Sequence, residues 1–159
     1  MIFKILGSLV IIGACSFVGF QISNELRGRV KTLEGWQSAL LQIENYICFT
    51  KMPLAEIYKH QSTAKGEVGE FFKRLLQYDV QSMDTKALWN GEIDKIPYMT
   101  KEDKGILLSL AENLGASVTE TQVNTIELVK KKIEQNLFDA KENEKRDAKM
   151  YKTISFFAG

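Results

Sequence analysis

Few residues in this chain are of a type and spacing that could do chemistry. There is one histidine, His60, and there are two cysteines, Cys15 and Cys48. His60 stands in the polar run Lys59-His60-Gln61-Ser62, where an imidazole is solvated and no neighbour orients it as a base or a ligand. Cys48 falls within a helical apolar pattern, as a small buried residue would, and its only possible imidazole partner, His60, carries no supporting motif. Metal sites built from His and Cys need fixed spacings, which are absent. Nor is there a Walker-type phosphate loop, and Gly66-Glu67-Val68-Gly69 is too short a glycine signal to stand for one. Carboxylates are plentiful but scattered, and many face lysine or arginine at helical spacing, such as Glu127 with Lys131 and Glu142 with Arg146. The expectation is a protein that is not an enzyme. It has no catalytic residues, no cofactor, no metal and no small-molecule substrate.

Composition narrows the field further. The chain of 159 residues carries 21 basic and 20 acidic side chains. Nucleic-acid binding by phosphate neutralisation needs a basic surface, so no nucleic-acid partner is expected. Two isolated cysteines do not make a disulfide framework. What remains is contact with other proteins, and that turns attention to the elements that would present such contacts.

No segment alternates as a strand does, and only Pro53 and Pro97 interrupt the chain, which suits long helices. Val30, Leu33, Trp36, Leu40, Ile43 and Ile47 recur at spacings of three and four, one face of a helix running to about Lys51. Pro53 suits the first turn of a short helix with Leu54 and Ile57 inward, and residues 61–66 read as a loop. Val68, Phe71, Phe72, Leu75 and Leu76 mark another helix to about Tyr78. Asp84 or Thr85 caps one carrying Leu88 and Trp89, and residues 91–97 read as a connection. Thr100-Lys101-Glu102-Asp103 resembles a capping box, and Gly115 would stop the helix it opens. Ser117-Val118-Thr119-Glu120 opens the last helix, with Val123, Ile126, Val129, Ile133, Leu137 and Ala140 as its stripe. The fold class is therefore all-α, a six-helix bundle whose long first and last helices pack antiparallel. The tryptophans Trp36 and Trp89 and the phenylalanines belong to its core, and an aromatic left on the surface would be the first candidate for docking a partner.

The amino-terminal segment is of another kind. Residues 5–23 carry no charge, close to the ~20 residues a helix needs to cross the hydrocarbon core. Ile5, Leu9, Ile12, Phe17 and Phe20 would be its anchor residues. A cleaved signal peptide is one alternative. A lipoprotein signal is a sharper one, because Ile12-Gly13-Ala14-Cys15 resembles a lipobox. The chain then stays apolar past Cys15, which favours an uncleaved anchor. The alternative function is accordingly an extracytoplasmic lipoprotein serving as a protein-binding module. Arg27, Arg29 and Lys31 follow the segment, so the positive-inside rule puts the rest of the chain in the cytoplasm. Residues 1–23 are thus read as the anchor, 24–153 as a cytoplasmic helical domain, and 154–159 as the start of a second membrane helix. Before that start comes the almost wholly charged stretch 141–147. Within it Lys141, Glu142, Glu144, Lys145 and Arg146 are either a solvated face or a docking surface where the last helix protrudes.

The order of these features resembles the stage III sporulation protein AB family. The likeness runs from the anchor ending in Gly19-Phe20, through Ser38-Ala39-Leu40-Leu41-Gln42-Ile43-Glu44 and Pro53-Leu54, to the acidic-start helix at Glu102-Asp103 and Asn113-Leu114-Gly115. It ends in Lys149-Met150-Tyr151-Lys152 and the apolar tail after it, where Ser155 replaces a glycine. The resemblance implies a part of the secretion-like channel between mother cell and forespore, placed in the mother-cell membrane. Its domain would be similar to the cytoplasmic helical domain of type II secretion and type IV pilus platform proteins. By that analogy the chain is a membrane platform or adaptor whose partners are other channel proteins, including a secretion-type ATPase.

Overall fold

The computed structural model describes the backbone of residues 2–78, 84–114 and 119–158, and side chains from Phe17 to Met150 within those ranges. All regular structure among the described residues is helical, in six α-helices: α1 (Ile2–Asn45), α2 (Leu54–Gln61), α3 (Glu67–Leu75), α4 (Thr85–Ile93), α5 (Lys101–Ala111) and α6 (Thr119–Ala158). Helix α1 has 44 residues and α6 has 40, so each runs ~60 Å or more at 1.5 Å per residue. No break marks residues 23–24, where the anchor was expected to give way to the domain. Among the described residues no helix is long and apolar enough to cross a membrane. The side chains of Ile5, Leu9 and Ile12, and those of 154–159, lie outside that description.

Three ion pairs mark the register of the long helices. Arg27 meets Glu144, Glu34 meets Lys141 and Glu44 meets Lys130. As the α1 number rises the α6 number falls, so the two run antiparallel. The expected stripes face inward: Leu33, Trp36, Leu40 and Ile43 from α1, Ile126, Val129, Ile133 and Ala140 from α6 are all inaccessible to solvent. The short helices close the other side. Phe71, Phe72 and Trp89 pack around Trp36 with ring centroids 5.3, 5.7 and 5.9 Å from it. Tyr58 accepts a 2.8 Å hydrogen bond from the Trp89 indole N–H. Burying rings of this size contributes on the order of 2–3 kcal/mol each, which makes this cluster the main anchor of α3 and α4 onto α1.

The helix ends show where local chemistry prevailed. Asp84 caps α4 through the amide of Ala87, and Thr100 and Asp103 form the reciprocal capping box at α5. The second expected box, with Ser117 and Val118, and the stop at Gly115 lie outside the described residues. Helix α1 does not reach Lys51 as an α-helix. Tyr46–Thr50 form a π-helical turn closed by Lys51 at φ 48°. Pro53 offers no N–H and restricts Met52, so the chain ends the helix by widening its last turn. The Thr50 hydroxyl donates to the carbonyl of Tyr46 within it. The expected connection 91–97 is shorter than its sequence suggested, because α4 continues through Gly91 to Ile93. Buried Glu92 and Ile93 hold that last turn inside. Gly66 takes φ +81° ahead of α3, and a side chain at Gly69 would overlap the carbonyl of Ala64. That glycine pair is a turn device.

Candidate interaction surfaces

The expected docking residues are only partly free. Lys141 bonds Glu34 at 2.7 Å and Glu144 faces Arg27 at 3.6 Å, so both join α6 to α1. Glu142, Lys145 and Arg146 are exposed. Arg146 donates to Asn143 at 2.9 Å and lies near Asp147, where the spacing had suggested Glu142. The stretch 141–147 therefore lies along the bundle as one seam of the α1–α6 pair, with its outer edge open. An acid–base pair across two long helices satisfies both charges at little net gain; the buried Leu137 and Ala140 just before it hold α6 against α1.

His60 is exposed at the end of α2, its ring 5.2 Å from that of Tyr46, and Cys48 is half-buried in the π turn. Among the described residues no cluster of His, Cys, Asp and Glu could hold a metal ion.

Two features went unread in the sequence. The first is apolar. Phe138 is 62% exposed and Phe49 83% exposed, against the expectation that the phenylalanines are core. The stripe rule explains it. Phe138 falls beside the buried positions Leu137 and Ala140 but on the outward arc of α6. Leu41, also exposed, is seven residues from Glu34 and three from Glu44, hence on the same arc of α1. Leu41 and Phe138 are thus both bracketed by the Glu34–Lys141 and Glu44–Lys130 pairs. The signal that could have found Phe138 was its offset from the stripe Ile133, Leu137, Ala140.

The second feature is polar. Asp103 is wholly buried where α1, α5 and α6 meet. Its carboxylate accepts from Arg29 through Nε at 2.9 Å and Nη2 at 3.0 Å, from Asn136 Nδ2 at 2.7 Å, and from the backbone N–H of Thr100 at 2.9 Å. Burial works to raise its pKa, but these donors, Arg29 foremost, bring it below the usual aspartate value. Glu92 is the counterpart at α3 and α4. Burial is offset there by Lys95 at 2.6 Å, Tyr78 at 2.9 Å and Arg74 at 2.9 Å, and its pKa is also lowered. Both carboxylates have every strong donor they need, so they act as clamps between helices. Beside the Asp103 clamp an open cleft of ≈ 850 Å³ runs between α5 and α6. Cationic Lys101 and Lys132 and anionic Glu102 and Asp139 all line it.

A bundle built on two long antiparallel helices, with charge clamps inside and aromatic side chains left outside, is the class of protein this fold defines. Comparison with known families makes it particular. The family described as stage III sporulation protein AB matches residues 4–159. The chain is also similar to the stage III sporulation protein AB of Bacillus subtilis (strain 168), at 24% identity over 163 residues, spanning 98% of this chain and 94% of that protein. No solved structure matches it significantly. The chain belongs to the stage III sporulation protein AB family.

Proposed function

We propose that this sporulation protein is a membrane-anchored platform with no reaction of its own, which docks a secretion-type ATPase through the outer face of α1 and α6. The observation that carries the reading is the exposure of Phe138 and Leu41 between two interhelical ion pairs. A bundle that already encloses Trp36, Phe71, Phe72 and Trp89 has no internal need to leave an aromatic ring in water there. An apolar centre with a charged rim is what a protein partner uses. The open edge of 141–147, with Glu142, Lys145 and Arg146, extends that rim.

Anchoring is supported by the uncharged run 5–23 and by the helix that runs from it into the bundle. Phe17 and Phe20 are 64% and 66% exposed on that helix, positions that water does not favour and lipid does. Arg27, Arg29 and Lys31 orient the bundle to the cytoplasm, which is where an ATPase would meet it.

The test is binding of the chain, reconstituted in lipid nanodiscs, to the secretion-type ATPase of the same organism. Saturable binding is expected, abolished by Phe138→Glu or Leu41→Glu with the melting temperature unchanged. Saturable binding that survives both substitutions would remove this face as the contact. No binding by the folded, inserted chain would remove the ATPase as the partner.

A further inference from the structure

The loop between α4 and α5 holds a residue that its backbone does not favour. Tyr98 takes φ 65°, a left-handed conformation that a tyrosine adopts only under constraint from its surroundings. Glycine or asparagine would make this turn without strain. The ring of Tyr98 lies on α1. A Cβ placed on Gly28 would come within 2.5–2.8 Å of three of its carbons, so Gly28 is what lets the ring lie so close. Packing on Gly28 covers only one side, because Tyr98 stays 49% exposed. With Leu26, Pro97 and Met99 it borders an open cleft of ≈ 570 Å³, whose polar edge is Glu25, Arg29 and Thr100.

The position of Gly28 along α1 says what the open side of the ring meets. The uncharged run ends at Ser23, five residues earlier. Five residues of helix rise ~7.5 Å. The polar zone of a bilayer is ~5–8 Å deep on each side, the difference between the whole bilayer and its hydrocarbon core. Tyr98 therefore lies at headgroup depth, where tyrosine is enriched because its ring suits the apolar side and its hydroxyl the wet one. In the clefts that Tyr98 borders, Lys31 and Lys65 are balanced by Glu25 and Glu67, and Arg27 and Arg29 are paired with Glu144 and Asp103, so it is the ring and not net charge that suits this zone.

We infer that Tyr98, strained and pressed onto Gly28, is a second membrane contact that seats the bundle in the headgroup zone of its own membrane. This rests on the anchor reading above. The contact fixes the tilt of α1 and α6 relative to the bilayer.

The experiment uses the full chain in liposomes and a Y98W variant. Trp36 and Trp89 are fully buried in the bundle, so bromine atoms on lipids do not reach them and the parent chain gives the baseline. Emission from the indole introduced by Y98W is expected to be at least halved by lipids brominated near the headgroup, and much less by lipids brominated near the chain ends. N124W, ~30 Å away along α6 from the residue that pairs with Arg27, is expected to show no quenching. Should Y98W lose its buried-tryptophan signal through misfolding, K101W at the start of α5 reports from the same loop. Flotation with an unquenched loop reporter overturns this inference alone. A chain that does not float with the liposomes overturns the anchor reading and this inference together.

Discussion

Around Trp36 three elements meet through rings, while around Asp103, about two turns back along α1, three elements meet through one carboxylate. The rings and the Asp103 carboxylate are shut to solvent, although Arg29 and Thr100 reach the open cleft beside it. In the first, Phe71 and Trp89 pack edge-to-face at 5.0 Å, and the attraction is spread over many carbon contacts. In the second, Arg29, Thr100 and Asn136 converge on two oxygen atoms at 2.7–3.0 Å. Spread contacts tolerate a change of shape, since a neighbouring ring can shift into part of the space. Convergent hydrogen bonds tolerate no loss of a charged partner, because the remaining charge is stranded in a low dielectric. The ring cluster thus gives the bundle its cohesion, and the carboxylate gives α5 one definite position against α1 and α6.

That contrast can be broken at either site. Trp36→Ala is expected to cost about 3–5 kcal/mol in chemical denaturation, as large aromatic truncations in a core do. Phe71→Leu, which keeps much of the volume, should cost clearly less; equal costs would mean that the ring cluster tolerates a change of shape no better than a loss of volume. Arg29→Met is expected to cost about 3 kcal/mol or more, because it leaves Asp103 buried and unpaired. Adding Asp103→Asn to Arg29→Met should recover part of that loss, and additivity of the two would show that they do not act as a pair.

The two sites also differ in what acid does to them. Asp103 and Glu92 have lowered pKa values in the folded protein. Their contribution is present above the unfolded carboxylate values of ~4 and is lost as pH falls through the still lower folded values. The melting temperature should therefore hold from neutrality to about pH 5 and fall below about pH 4. In Asp103→Asn that acid fall should be shallower, whereas in Phe71→Leu it should keep its slope. The smallest effect belongs to the outer seam. Lys141→Ala should change stability by no more than about 0.5–1 kcal/mol, since that pair is half-exposed. A larger loss would make the seam part of the clamp.

The Thr100–Asp103 capping box shows how far sequence reading reaches. The spacing of threonine and aspartate revealed the helix start, because both partners of a cap lie within one turn. It could not reveal that the same carboxylate also binds Arg29, 74 residues away. Phe138 was likewise within reach of a helical wheel, yet the wheel's zero had to be set by the α6 neighbours. Tyr98 and Gly28 gave no local sign at all, for neither is unusual in its own segment. The turn at Gly66 and the π turn before Pro53 lay between these cases: the breaking residues were visible, but the geometry chosen was not.

Local rules thus determined that this chain is helical, where most helices begin, and which stripes of the two long helices turn inward, because hydrogen bonds and apolar periodicity repeat within a few residues. Only the tertiary structure decided which charges are clamps, which aromatic rings are left outside and which loop leans on α1. Those outcomes depend on the rotation and register of whole helices against each other, and energies summed over the entire bundle set both.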